Sequence, residues 1–229
     1  GKGEMRDYMF NEAPWFETER EIEKIVVKSG ITSIGDSVFA YCSNLEEVEL
    51  PKSITTIGAH AFNECSSLEE VVLPSGLKTI GPGAFSYCSN LEYIDIPDSV
   101  TSLDTWAFEG CSSAVVAYLP NTLKVIPFGA FRYCYALEAV FLPASVTTVE
   151  EYAFEDCNSL VDIYYLGDED QLAQIKVENN NDPLLYANVY LATMITKEPE
   201  DAYVQEGETV KFSTETSRAG TTYQWYYLA

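Results

Sequence analysis

The sequence predicts an α/β repeat: a right-handed solenoid of 23-residue units with parallel strands, carrying a short all-β appendage at its C-terminus. Three observations predict it. All six cysteines, Cys42, Cys65, Cys88, Cys111, Cys134 and Cys157, fall 23 residues apart without a slip. Phe39, Phe62, Phe85, Phe108, Phe131 and Phe154 each stand three residues before one of them. An apolar residue stands three positions after each cysteine, opening the pattern L-x-x-V-x-L-P that is clearest at Leu68 to Pro74. A unit this short cannot bury an apolar face alone, so the units stack. A period of 23 lies inside the range of leucine-rich repeats.

The first unit departs from the others. Ile22, Ile25 and Val27 lie 23 residues before Leu45, Val48 and Leu50 and mark an opening strand over 20–28. Trp15-Phe16 stands in for the Val38-Phe39 pair, and Glu19 occupies the cysteine column. Residues 1–29 therefore read as a capping repeat, whose outer layer must face water. The chain opens Gly1-Lys2-Gly3 without a basic and apolar leader, the pattern expected of a fragment of something longer.

Residues 30–167 hold six full units. In Ile54 to Pro74, alternation places Val71 and Leu73 inward and Glu70 and Val72 outward, and the proline ends the ladder by removing a donor. Ile54 and Ile57 predict a second extended segment on the opposite side of the coil. Ala61-Phe62, between this segment and the strand at Leu68 to Pro74, predicts one helical or 3₁₀ turn, the phenylalanine filling the core. The cysteines predict a buried column of reduced thiols. Stacked units repeat at about 4.8 Å with parallel side-chain directions, whereas a disulfide needs Cβ atoms about 3.5–4.5 Å apart and turned toward each other.

Residues 168–192 read as a C-terminal cap. Asp168 to Val177 predicts a short amphipathic helix, Asn179 to Pro183 a loop, and Ala187 to Leu191 a last strand, together covering an otherwise open edge. A linker follows over 193–201. Residues 202–229 then alternate like short strands, too few for a sandwich of their own, and their exposed edges leave dimerisation through this segment open.

Thirty-six acidic residues against thirteen basic ones give a formal charge of −23, which repels phosphate backbones and anionic lipid surfaces and predicts no nucleic-acid partner. No run of about 18 apolar residues exists to span a bilayer, so no membrane insertion is expected. Nothing signals catalysis, a metal or a cofactor. His60 is the only histidine, falls on the convex turn in a column with Ser37, Gly83, Trp106, Gly129 and Tyr152, and has no partner suggesting a triad. One thiolate per turn supplies no tetrahedral zinc set.

Recognition would use side chains that vary between units on the strand face. One outward column runs Lys24, Glu47, Glu70, Tyr93, Val116, Ala139, Asp162 and the next Val26, Glu49, Val72, Asp95, Tyr118, Phe141, Tyr164. The early half is acidic. The later half makes Tyr93, Asp95, Val116, Tyr118, Phe141 and Tyr164 the candidate partner-binding face, because rigid aromatic residues anchor contacts. The alternative is that these rings stack on one another and serve the sheet alone.

The assembled unit, I-T-x-I-G-x-x-A-F-x-x-C-x-x-L-x-x-V-x-L-P, closely resembles the BspA-like leucine-rich repeats, also called the Treponema pallidum type, over about residues 7–192. Departures are few: Val38 replaces the alanine, Ala114 and Ala117 replace strand aliphatics, and Leu166-Gly167 replaces the final proline. Gly207 to Phe212 and Tyr223-Gln224-Trp225 resemble strands B and C of a bacterial immunoglobulin-like domain without its disulfide. The resemblance implies a secreted or cell-surface bacterial protein, without enzymatic activity, that binds host or neighbouring-cell proteins. A passive stalk displaying another domain, or a polysaccharide-targeting accessory of a surface enzyme, are the alternatives.

Overall fold

The computed structural model describes residues 2–9, 12–191, 195–197 and 215–216. Two columns of parallel strands run along the array, one on each side of the apolar core, as the two extended segments per unit require. The first column contains Lys24–Val26, Glu47–Glu49, Tyr93–Asp95, Val116–Tyr118, Ala139–Leu142, Asp162–Tyr165 and Asn188–Leu191. The second contains Gly3–Glu4, Ile31–Ile34, Thr56–Ile57, Thr79–Ile80, Ser102–Leu103, Val125–Ile126, Thr148–Val149 and Lys176–Val177. Register follows the sequence period: Val116 pairs with Ala139 and Ala139 with Asp162, each 23 residues on.

Each column is interrupted once. The strand expected at Leu68 to Pro74 does not form, so the first column divides into a two-stranded and a five-stranded sheet around it. Val71 and Leu73 are only half-buried there, and Val72 is 70% exposed, so inward packing at this unit is shallower than the alternation predicts. The second column breaks between Ser102–Leu103 and Val125–Ile126.

Between the columns lies the phenylalanine stack. Phe62, Phe85, Phe108, Phe131 and Phe154 are at most 1% exposed and successive centroids lie 5.3–5.9 Å apart, with planes within 13°. Each ring adds about 0.5–1.5 kcal/mol of pair interaction to the gain from its burial. At the N-terminal end Trp15, not Phe16, continues the column. Trp15 stacks on Phe39 at 5.6 Å and donates its indole N–H to the Val38 carbonyl, whereas Phe16 is 40% exposed. The capping unit is thus one residue out of register with the period. The larger indole covers the end layer, packed against the core and half-buried, with its polar atom satisfied by the Val38 carbonyl.

The six thiols are free and buried. From Cys65 onward each donates to the carbonyl of the phenylalanine 26 residues earlier, at 3.1–3.3 Å. Burial pushes the Cys88 and Cys157 thiols up to about 12, and burial with the nearby Glu19 charge does the same for Cys42. Glu19, which does stand against that column, leaves Oε2 buried without a hydrogen bond.

The turn at Ala61-Phe62 is neither an α-helix nor a 3₁₀-helix. Three-residue closures of the 3₁₀ kind occur, as from Cys65 N–H to the Phe62 carbonyl at 3.3 Å, but left-handed residues interrupt them. Two columns are left-handed throughout: Ser37, His60, Gly83, Trp106, Gly129, Tyr152, and Tyr41, Glu64, Tyr87, Gly110, Tyr133, Asp156, with φ between 51° and 72°. This alternation turns intervening N–H groups toward the next unit. Phe39, Phe62, Phe85, Phe108 and Phe131 each donate to the following unit's alanine carbonyl at 2.8–2.9 Å. His60 is accordingly not a simple surface residue. Its imidazole lies over Gly83, where a Cβ would come within 2.6 Å of Nδ1, and Nδ1 is buried without a partner.

Both ends are closed by added segments. Gly3–Glu4 extends the second column by pairing with Ile31 and Ser33, and Tyr8 meets Trp15 edge-on at 6.1 Å. At the other end the helix is shorter than the sequence suggests. It spans Glu169–Leu172 within a capping box formed by Asp168 and Gln171, after which Lys176–Val177 rejoins the sheet. Asp182–Tyr186 forms a second short helix where a loop was expected, with Pro183 in its first turn, and Asn188–Leu191 supplies the expected last strand. Ile195–Lys197, within the stretch read as a linker, pairs antiparallel with Glu215–Thr216. The other residues read as immunoglobulin-like strands or as a dimerisation edge lie outside the described residues.

Candidate recognition face

Parallel pairing at a 23-residue offset brings like positions of successive units into rows, and the six residues singled out from the sequence do meet on one face. Tyr93 pairs with Val116 and Asp95 with Tyr118, and the next strand places Phe141 beside Tyr118. Tyr118, Phe141 and Tyr164 form a ladder with centroids 4.5 and 4.8 Å apart and planes within 19°. Tyr93 is 53% exposed and Tyr118 42%, while Phe141, Tyr164 and Val116 are half-buried.

The ladder is one rung longer than the sequence reading. Tyr190, 48% exposed, stacks on Tyr164 at 5.4 Å. It escaped the column count because the cap pairs Tyr164 with Tyr190, an offset of 26 rather than 23. Stacked rings cover one another's faces, so the strip presents ring edges along its length and its least covered rings, Tyr118 and Tyr190, at the ends. Such a strip is pre-ordered, and a partner seating on it loses little side-chain entropy.

The acidic half is organised differently. Lys24 reaches Glu47 at 2.7 Å and Glu49 at 2.6 Å, and these bonds raise the Lys24 pKa and lower that of Glu49. Beyond them a groove of about 840 Å³ runs toward the interrupted unit, lined by Glu46, Glu47, Glu49, Glu69 and Glu70 beside Val72. Among the described residues no group of three or more His, Cys, Asp or Glu side chains is placed to hold a metal ion. None of their helices is long and apolar enough to cross a membrane.

The profile of the BspA type leucine-rich repeat region, six copies, matches residues 12–136 and 57–175. Among solved structures, the chain is similar to the leucine-rich repeat protein of T. pallidum, at 29% identity and a TM-score of 0.59, over 62% of this chain and 66% of that one. A leucine-rich repeat protein from Bacteroides ovatus shares 24% identity at a TM-score of 0.56, over 69% of this chain and 51% of that one. The pneumococcal vaccine antigen PcpA shares 16% identity at a TM-score of 0.58, over 82% of this chain and 44% of that one. The last two are likenesses of fold. The chain therefore spans two thirds or less of the length of each. No curated protein matches it in sequence.

Proposed function

This chain belongs to the BspA-type leucine-rich repeat family, whose repeats form protein-interaction modules, and from that premise we propose that it is the recognition module of a bacterial surface protein that holds host or neighbouring-cell proteins on its strand face. The observation that carries the reading is the ladder Tyr118, Phe141, Tyr164 and Tyr190, with Tyr93 and Val116 alongside. Aromatic side chains held on a rigid sheet supply contact area at low entropic cost, and they dominate interface hot spots. A secreted or surface location belongs to the same proposal. It is supported by the family and is compatible with thiols shielded from oxidants inside the core.

The test is binding of the purified chain to a panel of extracellular-matrix and plasma proteins, beside a Tyr118→Ser/Phe141→Ser/Tyr164→Ser variant whose fold is checked by circular dichroism. Saturable binding that the variant loses supports recognition at this face. Saturable binding that the folded variant keeps places recognition elsewhere. The self-stacking of the rings favours one second reading, a passive spacer displaying another domain; a panel with no saturable ligand supports that instead.

A further inference from the structure

A second surface lies away from the aromatic ladder, on the flank where the turns lead into the strands. A groove of about 380 Å³ is lined there by Tyr41, Tyr87 and Glu64 above a row of hydroxyls, Ser43, Ser66 and Ser89, with Arg20 at its end. We propose that this flank is a carbohydrate-binding site for a neutral polysaccharide, a site independent of the strand-face reading.

The chemistry of the lining is that of a sugar site. Sugar rings offer apolar C–H faces for aromatic stacking and hydroxyl edges for hydrogen bonds, and the groove offers both kinds of partner in one row. The hydroxyls are oriented by the array. Ser66 Oγ donates to the Ser43 carbonyl at 3.2 Å, Ser89 Oγ to the Ser66 carbonyl and Ser112 Oγ to the Ser89 carbonyl, both at 3.3 Å. With their protons engaged, the Ser66 and Ser89 oxygens in the groove retain lone pairs to accept from ligand hydroxyls. Glu64 adds a carboxylate acceptor between the two tyrosines in sequence register, and Arg20 adds guanidinium donors.

Spacing argues for a polymer. Tyr41, Tyr87 and Tyr133 occupy the same left-handed column at every second unit. Two strand spacings of about 4.8 Å separate successive tyrosines by roughly 10 Å, the span of a disaccharide in an extended chain. Tyr87, 43% exposed, lies over Gly110, whose missing side chain leaves the ring its seat. Tyr135, 49% exposed, and Arg132 beside Tyr133 carry the same chemistry along the flank past the groove. A formal charge of −23 selects against polyanions, which points to uncharged chains.

Affinity electrophoresis through gels holding xylan, mixed-linkage β-glucan or galactomannan, with pectin as the anionic control, tests the proposal. The expected result is retardation in at least one neutral gel and not in pectin. A Tyr41→Asn/Tyr87→Asn variant should lose about tenfold in affinity, the loss of two stacking contacts. Asparagine tolerates the left-handed backbone, and the column itself holds Gly110 and Asp156, so this variant is expected to fold; its thermal unfolding checks that. Tyr41→Phe/Tyr87→Phe, which keeps both rings, should retain binding, as should the strand-face triple-serine variant. No retardation in any neutral gel overturns the proposal. Retention of binding by a folded asparagine variant, or its loss in the triple-serine variant, overturns it equally, the latter by moving the site to the strand face.

Discussion

Asn181 terminates the array, and Asn181→Ala should unravel its last turn. In the preceding units the phenylalanine N–H donates to an alanine carbonyl of the next unit, the last such pair being Phe131 and Ala153 at 2.9 Å. Phe154 has no following unit, and its N–H donates to Asn181 Oδ1 at the same 2.9 Å. The Nδ2 group donates to the carbonyls of Glu150 and Glu178, both at 2.9 Å. One fully buried carboxamide thus stands in for a missing repeat. Alanine leaves a buried N–H and two carbonyls without these partners. One unsatisfied buried group costs about 1–3 kcal/mol, and taking about 3 kcal/mol for the set, Tm falls by roughly 6–12 °C. Because units couple to nearest neighbours, the loss concentrates at this end, and exchange of the Phe154 amide should accelerate about a hundredfold. Thermal unfolding and hydrogen exchange read the two effects. Asn188→Ala, which removes an exposed 3.3 Å bond to Asp162, is the control and should stay within about 0.5 kcal/mol. A Tm shift under about 2 °C, or unchanged protection at Phe154, refutes the argument.

Phe108→Ala, in the middle of the stack, should cost about 3–5 kcal/mol in urea unfolding; a cost below about 1 kcal/mol would mean that the ring column is not the core. All six thiols should resist Ellman's reagent in the native state and react once the chain is unfolded in guanidinium, since none is exposed. Burial raises all six folded pKa values, to about 12 for Cys42, Cys88 and Cys157, so the thiols' contribution to stability is complete below the unfolded value near pH 8.5 and is lost as pH rises toward the folded values. Chemical unfolding at pH 7.5 and pH 10.5 should therefore show lower stability at the higher pH, and replacing Cys88 and Cys111 by alanine should flatten that slope. Gly83→Ala should cost about 1–2 kcal/mol for the left-handed backbone alone, with an added clash against the His60 ring 2.6 Å from the new Cβ. His60→Ala should recover the clash but not the backbone cost, and a double-mutant cycle with no coupling would contradict the packing of these two columns.

What the sequence made legible follows from what repeats in it. Phenylalanine and cysteine serve one packing role in every unit, so translation by 23 residues maps each onto its equivalent, and spacing alone locates the core. The same arithmetic fails wherever the chain leaves that translation. Trp15 enters the phenylalanine column one residue early because a capping layer is selected for volume and polar satisfaction, not for register. Tyr190 joins the aromatic ladder at an offset of 26 because three added residues of the cap are taken up by helix and turn. The left-handed columns were hidden for another reason. Their side chains vary from glycine to tryptophan, and the constraint falls on the backbone, where only the glycines under His60, Tyr87 and Trp106 betray it. Variation along such a column consequently signals neither freedom nor function by itself. His60, Tyr87 and Trp106 each lie over a glycine of the next unit, where a Cβ would come within 2.6 Å of the ring, so a surface that looks chosen for a ligand is first limited by packing. Tyr41, Tyr87 and Tyr133 recur at alternate units of their column, with Glu64 and Gly110 between them, a spacing that a ligand with a matching repeat would exploit.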